Sequence, residues 1–258
     1  MLPVSDPTLV LGFDSSTEWL SVALSLDDTR TLQRTEPGGA RASMRLLPLV
    51  TELLAEAGVG LRDVGLIGFG AGPGAFTGLR AACAAAQGLG RGLGCPVVPV
   101  PTLLAVAASL EPCAPRARAL VANDARMGEM YWALAGAPGA PADWRLEDPA
   151  RVQSPAAAAG AWRDAFGAEA PSDLLLCGNA WTAHGAALRE ALGAGWDAAL
   201  RAARVVAPGA AAVARLARCA QRRGEAVPAA QARPLYVRDK VALTSAERAL
   251  AAAQGGGA

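Results

Sequence analysis

The segment GPGAFTGLR, residues 72–80, lies between an apolar run and an Ala-rich stretch, and its residue types are those of an anion cradle. Gly72, Gly74 and Gly78 permit close backbone approach, and a helix N-terminus just beyond them offers N–H groups to a negative charge. Thr77 can cap that helix or touch a phosphate, and Arg80 carries a fork matched to phosphate oxygens. The spacing fits neither GxxxxGK[ST] nor GxGxxG, so a tight strand-to-helix connection that binds nothing stands as the competing account. Asp14 and Asp124 each close an apolar run, where a carboxylate can hold a metal-bound phosphate or a catalytic water. Ser15, Ser16 and Thr17 follow the first with hydroxyls and N–H groups, yet an Asx turn closing each hairpin needs no ligand. His184, the single histidine, reads as a solvated helix residue; it excludes an HExxH site, and GxSxG is absent. Arg126 and Glu129 flank a turn followed by Tyr131, which fits either a salt bridge across a hairpin or an anchor for a partner.

These groups need a scaffold, and the hydrophobic pattern supplies one. TLVLGF (8–13) reads as a buried strand, WLSVALSL (19–26) as a half-exposed one, and TRTLQRTE as a third. In 43–57 apolar residues recur at helical spacing up to Gly58, and Pro48 suggests a start near residue 46 or a kink. Strands at 64–70 and 95–100 and helices at 77–92 and 102–110 complete a mixed sheet with helices packed on it. RALVANDAR and GEMYWALAG then repeat the strand, Asp turn, strand plan, as expected of a duplicated template. Helices at 155–166, 180–192 and 208–223 and a strand at DLLLCGN follow, and the last ten residues read as a frayed end.

Hydrophobic residues make up 52% of the 258-residue chain and charged residues 18%, a globular balance. The net charge of +1 gives no broad field for nucleic acid, so any RNA contact has to be local or supplied by a partner. Five cysteines without a CxxC pair read as thiols in a reducing compartment, and the absence of a leader or membrane span gives a cytoplasmic expectation.

Taken together, LGFDSSTEWLSVAL, GAGPGAFTGLRAACAAAQGLG, NDARMGEMYWA and ARPLYVRDKVA resemble the TsaB (YeaZ) family over residues 8 to about 242. That resemblance implies an α/β, actin-like (ASKHA, ribonuclease-H-like) duplicated fold, with a mixed five-stranded sheet in the first lobe and a reduced second lobe. The expected lobes are 1–112 and 113–207, with 208–245 packing back on the first and a tail at 249–258. It also implies a non-catalytic subunit that dimerises with TsaD for threonylcarbamoyl transfer to N6 of adenosine 37 in tRNA. TsaE docks on that assembly, and tRNA is met only through it. No intrinsic cofactor or metal is implied; ATP or ADP trapped at the boundary with TsaD is compatible with this reading, and a leucine-rich helix face beyond what the core covers predicts that the chain alone forms a homodimer or exposes an apolar patch. The relatives' histidine three residues before RLLP is Ala42 here, in keeping with a degenerate enzyme. Leu46, Leu47, Val50 and Leu54 on one helix and Leu79, Ala82 and Ala86 on the next are the expected partner face. An autonomous small-molecule kinase with Asp14 as base is the rival reading; a metallopeptidase is disfavoured by the lone histidine.

Overall fold

The computed structural model describes residues 9–110, 117–137 and 144–238. The tail expected at 249–258 lies outside the described residues. Strand β1 (Val10–Asp14) is buried along its whole length and turns through the Asp14 loop into β2 (Trp19–Ser25) and β3 (Thr31–Pro37). Helix α1 (Ala42–Ala57) begins at Ala42 rather than near residue 46, and holds Pro48 in its interior. Pro48 is exposed, so the carbonyl left without its N–H partner lies on the side that water can reach. Gly58, left-handed at φ 69°, ends the helix as its position suggested. Strand β4 (Leu66–Gly72), helix α2 (Phe76–Leu93), strand β5 (Val97–Pro101) and helix α3 (Thr102–Ala108) follow. The first sheet has the order β3-β2-β1-β4-β5, with β1 antiparallel to β2 and parallel to β4.

The second half opens with the hairpin β6 (Arg118–Arg126) and β7 (Glu129–Gly136). Two short strands, β8 (Arg145–Leu146) and β9 (Arg151–Gln153), then pair with β7. Helix α4 (Pro155–Phe166) leads to β10 (Leu174–Cys177), which is parallel to β6. Central β6 thus has an antiparallel hairpin partner on one side and a parallel crossover strand on the other, as β1 does. No counterpart of β5 extends this sheet among the described residues. The fold is the duplicated actin-like α/β plan, with the second lobe reduced. The single helix expected over 180–192 is two, α5 (Ala180–Ala183) and α6 (Gly185–Leu192), because His184 leaves helical backbone at φ −123°. Helix α7 (Asp197–Ala202), too short to show a period, precedes α8 (Ala210–Arg222).

Three apolar layers hold the plan together. Between the sheets lies α8, in contact with β1, β2 and β4, and α3 fills the space toward β6. On the far side of the second sheet Trp162 packs against Trp132, Trp181 and Trp196. On the outer face of the first sheet α1 and α2 cover Phe13, Ile67 and Phe69. This last layer corrects the expected partner face: Leu46, Val50, Leu54, Leu79, Ala82 and Ala86 are all buried in the chain's own core. Their spacing reported a covered stripe, and the first sheet covers it. Leu47 alone of that set stands outside, 49% exposed.

Candidate functional site

The Asp14 turn and the 72–78 loop sit side by side because β1 and β4 are parallel neighbours ending together. Asp14 is 1% exposed. Its Oδ1 accepts the Ser16 N–H at 2.8 Å and the Ser16 hydroxyl at 2.6 Å, and its Oδ2 accepts the Thr102 hydroxyl at 3.3 Å. Thr102 Oγ1 in turn accepts the Gly72 N–H at 3.2 Å. Burial raises the Asp14 carboxyl above its ordinary range, and the bonds from Ser16 and Thr102 oppose that rise. The Asx turn is therefore the geometry present, and Asp14 has no face toward a substrate.

The glycines answer to the same packing. A Cβ on Gly78 would meet the Ser15 carbonyl oxygen at 1.8 Å, and one on Gly74 the Ser16 carbonyl oxygen at 2.4 Å. Ser15 donates its hydroxyl to the Gly78 carbonyl at 2.9 Å, and the Ala75 N–H bonds Ser16 O at 2.7 Å. The loop is stitched to the serine turn, so the Ser15 and Ser16 hydroxyls serve the chain itself. Two expectations change here. Thr77 is not the N-cap of α2, since Ala75 holds that position with no side-chain cap. Arg80 lies 3.8 Å over the Phe76 ring and donates from Nε to the Tyr236 hydroxyl at 3.2 Å, pointing along the helix rather than into a cradle.

Across a cleft of about 470 Å³ stands the turn of the second lobe. Asp124 Oδ1 accepts the Arg126 N–H at 2.9 Å and lies 3.1 Å from His184 Nε2. His184 is thus a hydrogen-bond partner of Asp124, largely buried rather than solvated. Asn179 Oδ1 accepts the Asp124 N–H at 2.8 Å, fixing α5 to the hairpin. Arg126 lies near Asp124, at 3.6 Å, and not Glu129. Glu129 is held instead by Arg238, which also donates to the Ala125 carbonyl at 3.2 Å and lies over the Tyr131 ring. The β6–β7 turn runs through left-handed Arg126, Met127 and Gly128, which leaves Arg126 and Met127 projecting.

Residues 232–238 carry no helix or strand, and Leu235, Tyr236, Val237 and Arg238 among them form the cleft's remaining wall. The Leu235 N–H bonds the Ala71 carbonyl at 2.7 Å, the Tyr236 ring lies tilted against Phe76, and Arg238 reaches the second lobe. The ARPLYVR string stood out in the sequence, but nothing in its spacing showed that it straps one lobe to the other. Among the described residues no group of three or more His, Cys, Asp or Glu stands close enough to hold a metal. None of their helices is long and apolar enough to cross a membrane.

The chain is similar to known proteins. The sequence model of the family described as TsaD, tRNA N6-adenosine threonylcarbamoyltransferase, matches residues 38–246. The chain is 40% identical over 124 residues to the tRNA threonylcarbamoyladenosine biosynthesis protein TsaB of Escherichia coli (strain K12), covering 48% of this chain and 53% of that one. It is 39% identical over 128 residues to the protein of the same name from Haemophilus influenzae, covering 48% and 52%. The chain spans about half the length of these curated relatives. The crystal structure of YeaZ from Pseudomonas aeruginosa superposes with a TM-score of 0.72 at 36% identity, over 89% of this chain and 99% of that one.

Proposed function

The chain belongs to the TsaB (YeaZ) family within the wider threonylcarbamoyltransferase family, and on that premise we propose that it is a non-catalytic subunit for threonylcarbamoyl transfer to adenosine in tRNA. The observation that carries the reading is the burial of Asp14 and the use of its neighbours within the chain: Ser16 and Thr102 bond the carboxylate, and the Ser15 hydroxyl is spent on the Gly78 carbonyl. A kinase of this fold needs an accessible base, and a carboxylate 1% exposed cannot serve as one. The chemistry is then supplied by a TsaD partner, with TsaE joining the assembly and ATP or ADP held at the TsaD boundary. The compartment that fits is the cytoplasm, where tRNA is processed, and alone the chain pairs with a second copy.

The face left for that partner is the outer side of α1 and α2. Met44 is 66% exposed, and Met44, Leu47, Pro48, Thr51 and Ala55 make one solvent-facing stripe. Beside it Ala84 and Gly88 of α2 are exposed and small, which lets a partner helix approach closely. Leu47→Arg should leave the fold intact and abolish co-purification with TsaD, whereas Leu46→Arg should unfold the chain. The decisive experiment is reconstitution of threonylcarbamoylation from TsaD, TsaE and the adenylate-forming enzyme, with and without this chain. Full activity without it overturns the proposal.

A further inference from the structure

Beside the cleft, the N-terminal end of α2 and the strap at 232–238 form a surface that neither the closed loop nor the partner stripe uses. Phe76 is 39% exposed and Tyr236 48%, with ring centroids 5.6 Å apart. Leu235 is exposed beside them, and across the cleft mouth the hairpin tip presents Arg126 and Met127. Arg80 lies over Phe76, and Arg233 is exposed on the strap with its guanidinium on the Ala230 and Ala232 carbonyls. Neither α2 nor the strap 232–238 contains an acidic residue, so this strip is basic on a chain whose net charge is only +1. The acids Asp124 and Glu129 of the facing hairpin are engaged by His184, Arg126 and Arg238. Glu18 also lines the cleft and marks where a phosphate would not lie.

Exposed rings interleaved with arginines, and free of acids, match the two halves of a single-stranded nucleic acid, stacking bases and a phosphate chain. We propose that Phe76, Tyr236, Arg80 and Arg233 form a docking platform for unpaired nucleotides of an RNA. The outer face of the Tyr236 ring takes a base, and the guanidinium groups line the backbone. The proposal rests on the reading of the chain as a subunit of an RNA-modifying complex, and it places a direct RNA contact on the subunit itself. With so small a net charge the contact is local, and it adds to binding in the complex rather than capturing RNA alone.

The test uses the full chain assembled with the TsaD-type transferase and a fluorescein-labelled RNA stem–loop, with a fully paired hairpin of the same length as control. Tyr236→Ala should weaken stem–loop binding about fivefold or more, the loss of one stacked base, while Tyr236→Phe keeps the ring and most of the affinity. Arg80→Gln should lower the slope of log affinity against log salt by about 0.7. The paired control should bind weakly and ignore the Tyr236 substitutions. Unchanged RNA affinity for Tyr236→Ala in an intact complex overturns the platform and leaves the subunit reading standing. Disassembly of the complex by Tyr236→Ala also overturns it, assigning the patch to a protein. Threonylcarbamoylation that proceeds fully without the chain is the separate result that removes the premise.

Discussion

Asp14 shows how a residue with the look of a catalyst can be wholly structural. Its carboxyl is raised chiefly by burial, while an unfolded chain ionises an aspartate near pH 4. A raised native value means that Asp14 contributes stability below about pH 4, and that this contribution is lost as pH rises through the native value. Asparagine keeps an Oδ1 for both Ser16 donors and has no charge to desolvate. Asp14→Asn should therefore gain stability relative to the parent between about pH 4 and pH 7, with no gain in acid. Urea unfolding across that range checks it, and an Asn variant equally weakened at every pH would show that the bonds to the carboxylate outweigh its burial. On the proposed non-catalytic reading no step passes through Asp14, and a reconstituted complex carrying this variant should then keep its transferase activity. The Asx turn was legible because Asp followed by Ser-Ser at a strand end encodes it locally. The His184–Asp124 and Arg238–Glu129 pairs were not, because each joins residues brought together only by the fold.

At the scale of elements, α1 marks the limit of hydrophobic periodicity. The spacing of Leu46, Val50, Leu53 and Leu54 located the helix and one apolar face, but a covered stripe looks the same whether a sheet or a partner covers it. What identifies the open face is the residues left outside, Met44 and Leu47 with Pro48 between Leu47 and the next turn. Pro48 removes one backbone hydrogen bond from an exposed helix interior, a feature that makes a monomer less stable. Pro48→Ala should stabilise the isolated chain by about 1–2 kcal/mol, the restored bond outweighing the extra freedom of the unfolded chain. Thermal unfolding measures this, and a destabilised variant would mean that the helix is already adapted to the proline. Strands β8 and β9 and helix α7 escaped the sequence because two or three turns of alternation are needed before a period emerges.

For the whole molecule, the question is what keeps two lobes of an actin-like fold in one relation when the polar loop between them is closed. Helix α8 fixes the inner layer, and the strap at 232–238 ties the cleft mouth: its N–H at Leu235 holds the first sheet, and Arg238 holds the β6–β7 hairpin at Ala125 and Glu129. Arg238 is largely buried while Glu129 is half-open, so the pair should be worth about 1–2 kcal/mol as a charge-assisted bond. Arg238→Ala should accordingly speed amide hydrogen exchange at the hairpin 124–130 and at Leu235 by roughly 5- to 30-fold, the same energy expressed as an opening constant. Exchange at Trp162, Trp181 and Trp196 should not change, because these residues belong to the layer behind the second sheet, whereas the Arg238 bonds are at Ala125 and Glu129. A uniform increase across both lobes would mean that Arg238 contributes to global stability alone. An increase confined to the cleft mouth would establish the strap as the element that holds the lobes together, giving α1, α2 and the aromatic strip one fixed geometry to present.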